Sequence, residues 1–250
     1  MDLGLTDRAY VVTGGSRGLG RATAEALVAD GARVVVASRD ADAVAEAVAG
    51  LGGERAAGLA ADLAAPDTPE RLLALATERF GRFDGALVSV GGPPTGAASA
   101  VTDEQWRAAF ESVFLGAVRA ARTFAGALGE GGALGLVLSS SVRSPIPGLA
   151  VSNGLRPGLA MVAKDLADEF GPRGVRVLGL MPGRIATGQL RQLDGAVDES
   201  TRRRTREAIP LGRYGEPAEF GRVAAFLLSP AASYVSGTTV PVDGGALRVP

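Results

Sequence analysis

The chain has 250 residues, 46% of them hydrophobic and 21% charged, a balance that fits one large α/β domain with a substantial buried core. Its 26 basic residues stand against 27 acidic ones for a formal net charge of -1, which excludes the strongly basic surface of a nucleic-acid or anionic-membrane binder. No apolar run approaches the roughly 18 residues that span a bilayer, and the opening MDLGLTDRAY has no basic stretch followed by an apolar one, so a cytoplasmic protein without a membrane partner is expected.

Two residue types are missing altogether. Without Cys, disulfides, thiolate nucleophiles and Cys-bound zinc are excluded. Without His, the commonest general base and metal ligand are gone. Acid-base work then falls to carboxylates, Tyr, Lys, Arg or water, and no metal site is expected. Lys164 is the single lysine and Asn153 the single asparagine. A composition biased toward Arg, Ala and Gly accounts for the first; for the second, a capping or turn role is the simplest reading.

From the start of the chain, apolar β-branched runs alternate with helical patterns. AYVVTG and ARVVVASR read as strands, and GRATAEALVADG between them reads as a helix ended by glycine, which makes a βαβ unit. Further strands are expected at AAGLAAD, GALVSVGG, ALGLVLSSS, VRVLGLMPG and TTVPVDGG, with helices at PERLLALATERFG and PAEFGRVAAFLLS. The longest helix candidate opens at TDEQW, where Thr102 and Gln105 have capping-box spacing. Seven strands separated by helices predict a mostly parallel, doubly wound α/β sheet flanked by helices. No internal repeat or low-complexity linker divides residues 1–250, so one domain is expected. Residues 188–209, GQLRQLDGAVDESTRRRTREAI, are the most polar segment and the candidate lid beside a cleft.

The strongest local signal is VVTGGSRGLGRA. A strand ends at Thr13, and Gly14, Gly18 and Gly20 form G-x-x-x-G-x-G before a helix. Glycines there allow a tight turn and let backbone N–H groups approach a pyrophosphate at the positive end of the helix. At the end of the second strand, ASRD places Ser38 and Arg39 where a carboxylate would grip the ribose of NAD. Arg39, helped by Arg17 in the glycine loop, suits a 2′-phosphate better, which favours NADP(H) over NAD(H).

Several motifs in one order give the chain a family likeness. TGGSRGLG, the Asp62 of ADL, PGRIAT at 182–187, IPLGRYGEPAEFGRVAAFLLSPAASYVSG and VPVDGG together resemble the short-chain dehydrogenase/reductase family, of the 3-oxoacyl-acyl-carrier-protein reductase kind, over nearly the whole chain. The resemblance implies a Rossmann-type seven-stranded sheet, a nicotinamide cofactor across its carboxyl edge, and a homotetramer or homodimer. By position it implies that Gly14, Gly18, Leu19 and Gly20 hold the pyrophosphate, that Asp62 and Leu63 flank the adenine, and that Pro182, Gly183, Ile185 and Thr187 lie on the nicotinamide side. It also puts Ser16 and Gly91 on the cofactor.

At the catalytic positions the chain departs from the family. The family carries Tyr-x-x-x-Lys on a helix that continues to Leu-Ala-x-Glu. Counting back from Glu169 in LADE puts Arg156 at the Lys position and Ser152 at the Tyr position. The family's catalytic Asn is replaced by Val113, and its Asn-Asn-Ala-Gly by Ser89, Val90, Gly91 and Gly92. The serine survives as Ser141, with Ser140 the alternative, while Tyr10, Tyr214 and Tyr234 stand elsewhere in the pattern.

The replacements keep hydrogen-bond donors and lose the acid. A phenol with a pKa near 10 beside an ammonium is a usable acid-base group, whereas a serine hydroxyl is far weaker. Arg156 is expected to keep its proton above pH 12 and to bind ribose hydroxyls or polarise a carbonyl oxygen. Ser152 and Arg156, four residues apart, share a helical face, and Asn153 points about 100° away. Two functions remain open. One is NADPH-dependent reduction of a small-molecule carbonyl or acyl thioester by Ser141, Ser152 and Arg156. The other is a catalytically silent NADP(H)-binding regulatory or scaffolding protein; elimination or isomerisation using Ser141 is a third, smaller possibility.

Overall fold

The computed structural model describes residues 2–188, 190 and 198–248. Seven segments become strands: β1 (Ala9–Thr13), β2 (Arg33–Ser38), β3 (Ala56–Ala60), β4 (Gly85–Val88), β5 (Ala133–Val137), β6 (Arg176–Pro182) and β7 (Thr239–Val242). They form one sheet in the order β3-β2-β1-β4-β5-β6-β7, with every neighbouring pair parallel. A parallel sheet needs crossover helices, which cover both faces, so its strands are apolar on both sides. In β1, Ala9 and Val11 face one core while Tyr10 and Val12 face the other, and all four are buried.

The helices are α1 (Gly18–Ala29), α2 (Ala41–Leu51), α3 (Thr68–Phe80), α4 (Asp103–Ala109), α5 (Gly116–Ala127), α6 (Ala150–Phe170), α7 (Glu199–Glu207) and α8 (Pro217–Leu228). Leu72, Phe124 and Leu159 bring α3, α5 and α6 to one face of the sheet. Leu27, Val44 and Phe220 bring α1, α2 and α8 to the other. Local signals start several of these helices. Thr102 and Gln105 form a reciprocal capping box at α4, and Pro217 with the Glu216–Glu219 pair opens α8.

Two features differ from a plain reading of the sequence. The helix opening at Thr102 is not uniform: between α4 and α5 lies a π-helical turn, Phe110–Leu115, that carries Val113 into the interior. Such turns often mark functional positions in a helix. Of the expected lid at 188–209, Gln189 and residues 191–197 lie outside the described residues; residues 199–207 form α7, and Ile209 is buried. Among the described residues, no helix is long and apolar enough to cross a membrane.

Strand order reverses between β1 and β4. The crevice beyond the carboxyl ends of these two strands is where a doubly wound sheet takes its ligand.

Candidate active site and cofactor cradle

The crevice is built first by the turn after β1. Gly14 and Gly18 adopt φ of 60° and 58°, a left-handed conformation that side chains disfavour. A Cβ on Gly20 would stand 2.3 Å from the Gly14 carbonyl oxygen, so this glycine permits the close return of α1 onto the turn. Arg17, the N-cap of α1, is extended and makes no side-chain capping bond. The first-turn N–H groups of α1 therefore lack a side-chain cap and suit an anion. Thr13 and Ser89 tie the ends of β1 and β4 together: the Thr13 hydroxyl donates to the Ser89 carbonyl and accepts from the Ser89 N–H, both at 2.8 Å.

The remaining candidate cofactor residues line the same edge. The Thr187 methyl carbon lies 3.6 Å from where a Gly18 Cβ would be, which places the segment after β6 against the glycine turn. Ile185 is buried and bridges Gly215, with Pro182 and Gly183 half-buried beside it. Asp62 is exposed, and its Oδ1 accepts from the Ala64 N–H at 3.0 Å. The Leu63 carbonyl presses on Gly116, whose Cβ would stand 2.7 Å away. Gly91 is exposed in the loop beyond β4, and Ser16 is half-buried in the glycine turn.

At the end of β2 the nearest carboxylate is already engaged. Asp40 caps α2 by accepting from the Ala43 N–H at 3.1 Å, and the Ser38 hydroxyl points to the Asp40 carbonyl at 3.4 Å. Arg17 and Arg39 are exposed, and neither side chain makes an ion pair or hydrogen bond with another described residue. Two uncommitted guanidinium groups thus stand at the carboxyl ends of adjacent strands.

The second half of the crevice lies at the end of β5, two strand spacings or about 10 Å from β1. Ser141, Ser152 and Arg156 are each 5% exposed. The two hydroxyl oxygens are 3.2 Å apart, and Ser141 Oγ lies 3.4 Å from the Ser152 carbonyl. Arg156 donates to the Val137 carbonyl at 2.6 Å. That is its one protein partner among the described residues, and no carboxylate pairs with it. Burial pushes the guanidinium down to about 10, lower than expected of an arginine from the sequence but still cationic at neutral pH.

The structure thus brings Ser141, Ser152 and Arg156 together and leaves Tyr10 and Tyr234 apart. Tyr10 is in the core, donates to the Leu228 carbonyl at 3.4 Å and is pushed up to about 12, chiefly by burial. Tyr234 is fully exposed. Val113 is 4% exposed and offers no polar group. Asn153 is better defined than the sequence allowed: its carboxamide accepts from the Ile146 N–H at 3.0 Å and donates to the Ile146 carbonyl at 2.9 Å. The signal for that contact was present in SPIPG, where Ile146 sits between two prolines, but nothing in the sequence linked it to Asn153.

A glycine-turned helix end at the switch point of a parallel sheet is the arrangement of a Rossmann-type dinucleotide-binding fold. Residues 14–246 match the family described as enoyl-(acyl carrier protein) reductase. A 2,5-dichloro-2,5-cyclohexadiene-1,4-diol dehydrogenase of Sphingobium indicum is 32% identical over 246 residues, covering 96% of this chain and 97% of that protein. Levodione reductase of Leifsonia aquatica is 34% identical over 259 residues, covering 96% and 94%. A short-chain dehydrogenase/reductase from Brucella melitensis superposes with a TM-score of 0.93 at 31% identity, and L-sorbose reductase from Gluconobacter frateurii, solved with NADPH and L-sorbose, with 0.91 at 28%; each pair covers 100% of both chains. The chain belongs to the short-chain dehydrogenase/reductase family, a family of oxidoreductases.

Proposed function

We propose that the protein is an NADPH-dependent carbonyl reductase whose site is Ser141, Ser152 and Arg156. The observation that carries this reading is Arg156, a buried cation without a carboxylate, beside two hydroxyls 3.2 Å apart. A cation kept from water without a counter-charge costs folding free energy. An electron-rich oxygen from a ligand would offset that cost. The substrate is a small-molecule carbonyl compound or an acyl thioester; the relatives above include a cyclohexadiene-diol dehydrogenase, a levodione reductase and an L-sorbose reductase.

A nicotinamide dinucleotide, when bound, donates the hydride. Gly14, Ser16, Gly18, Leu19 and Gly20 would hold its pyrophosphate, Asp62 and Leu63 its adenine, and Gly91, Pro182, Gly183, Ile185 and Thr187 its nicotinamide side. Arg17, Ser38 and Arg39 would hold the 2′-phosphate, supported by the two uncommitted guanidinium groups and by the engagement of Asp40 in capping α2. Arg156 polarises the substrate oxygen, and Ser152 and Ser141 share a hydroxyl donor toward it. None of the three is an acid near neutrality, so water supplies the proton. General acid catalysis contributes about 10² to 10⁴ in rate, and turnover should be slower by that order than with a phenol in place. The reading includes a cytoplasmic homotetramer or homodimer, supported by Phe110 and Met161, which stay 43% and 65% exposed.

The test is a fluorescence titration with NADPH and NADH, followed by oxidation of the tighter cofactor against diketones, quinones and 3-oxoacyl thioesters. NADPH is expected to bind more tightly and at least one acceptor to turn over. Arg39→Ala should weaken NADPH about 10- to 100-fold, the worth of one charge-assisted hydrogen bond, and leave NADH unchanged. Tight binding with no turnover on the whole panel would favour the silent binder. Equal affinity for both cofactors would remove the 2′-phosphate assignment.

A further inference from the structure

Between Ser141 and Ser152 the chain makes an excursion of about ten residues that leaves the site and returns to it. Its base is closed by the site itself, through Ser141 Oγ against Ser152 at 3.2 Å and 3.4 Å. Its far end is tied to the loop after β4, where the Gly96 N–H donates to the Gly148 carbonyl at 2.7 Å and the Ala150 N–H to the Gly96 carbonyl at 3.2 Å. The middle is held by Asn153.

Ile146 lies between Pro145 and Pro147, neither of which has an N–H. The Ile146 N–H is therefore the one backbone donor of this tripeptide. It is taken by Asn153 Oδ1 at 3.0 Å, while Asn153 Nδ2 donates to the Ile146 carbonyl at 2.9 Å. That carbonyl also accepts from the Leu149 N–H at 3.1 Å, so both of its lone pairs are used. A carboxamide is both donor and acceptor in the geometry of a peptide group. Asp, which lacks the donor, and Ala, which lacks both, could not make this pair. Because Asn153 is offset by about 100° around α6 from Ser152, the same helical turn presents a hydroxyl inward and a clamp to the loop.

We propose that Asn153 is a positioning residue that holds residues 143–149 as a preformed wall on the substrate side of the site, and so sets which acceptors fit. The wall's role toward substrate rests on the reductase reading above; the clamp itself does not.

The chain has three isoleucines, Ile146, Ile185 and Ile209, so protein labelled with ¹⁵N-isoleucine reports each amide separately. In Asn153→Ala, hydrogen exchange at Ile146 should speed about tenfold or more, the worth of a lost hydrogen bond, with Ile185 and Ile209 unchanged. NADPH affinity should stay within about twofold. With the best acceptor from the panel, KM should rise with kcat little changed. Asn153→Leu, of similar size but with neither donor nor acceptor, should resemble Asn153→Ala, whereas a merely space-filling side chain would be rescued by it. Unchanged exchange at Ile146, equal acceleration at all three isoleucines, or full protection in Asn153→Leu would overturn the clamp. A fall in kcat or NADPH affinity with KM unmoved would overturn the wall. If no acceptor turns over, the reductase reading falls and the exchange measurement still decides the clamp.

Discussion

Among the described residues two arginines are buried, and their surroundings differ. Arg176 is satisfied by carbonyls: Leu227 at 2.7 Å, Ser229 at 2.8 Å and Val235 at 3.2 Å. It thereby closes the C-terminal end of α8, where backbone carbonyls lack helical partners. Arg156 has the Val137 carbonyl alone, although burial pushes both guanidinium groups down. A structural arginine collects acceptors; one kept without them costs stability and points to a ligand. Arg156→Met should therefore stabilise the ligand-free protein by about 1–3 kcal/mol, in line with replacing buried charges by apolar groups, while abolishing turnover. The sign with pH follows from the shift. Burial holds the Arg156 guanidinium down at about 10 in the fold, below its value in the unfolded chain, so its penalty is complete below about pH 10 and is relieved as pH rises through the unfolded value. Tyr10, raised from 10.0 to about 12, loses stability across much of the same window, so the difference between wild type and Arg156→Met is the quantity to follow by denaturant unfolding. A destabilised Arg156→Met would make Arg156 a structural residue and remove the main support for a ligand there. Counting back from Glu169 was enough to find Arg156 and Ser152 in the sequence. No pattern could show that Arg156 lacks a carboxylate, because that depends on what β5 and its loops bring alongside.

The seven strands were legible because a parallel sheet covered on both faces demands apolar, β-branched runs, and AYVVT and RVVVAS have no other reading at that length. Their ends were less so. ALGLVLSSS continues past Val137 in composition, but pairing between β5 and β6 ends there, where the chain turns into the Ser141 loop. The π-helical turn at Phe110–Leu115 was not legible at all, since FESVFL continues a helical pattern and the distinction lies in hydrogen-bond partners. Nor did the sequence show how α1 meets α8. Gly221 provides that contact: a Cβ there would stand 2.3 Å from the Ala22 carbonyl oxygen. Gly221→Ala must separate two helices that bracket the cofactor turn, and should cost about 1–3 kcal/mol or more as overpacking. Gly126, within α5 and with nothing inside 4 Å of its would-be Cβ, is the control. Gly126→Ala should be neutral or gain up to about 1 kcal/mol from helix propensity. Denaturant midpoints of the two variants measure the contrast; equal effects would mean that Ala22 and Gly221 are free to move apart.

At the scale of the whole molecule, the charge balance is nearly neutral, so attraction for a polyanionic cofactor comes from placement. The order of motifs along the chain made this edge of the fold predictable: a glycine turn after β1, Arg39 after β2, Asp62 after β3 and PGRIAT after β6 all fall at carboxyl ends. A ligand held there bridges β1, β2 and the segment after β6, and so ties together elements distant in sequence. Binding to the folded state alone adds RT ln(1 + [L]/Kd), about 2.7 kcal/mol at a hundredfold excess over Kd. For a protein of this size each kcal/mol moves the midpoint by about 2–4 °C, so saturating NADPH should raise Tm by about 5–11 °C. At the same concentration NADH should raise it less, and in Arg39→Ala the two shifts should converge because the phosphate contact is gone. Convergence by loss of the NADPH advantage is the discriminating result. Equal shifts already present in the wild type would place neither Arg17 nor Arg39 on a phosphate. A shift with NADPH in Gly20→Ala as large as in wild type would remove the glycine turn from the binding site, since its Cβ would occupy the space against Gly14 on which the cradle depends.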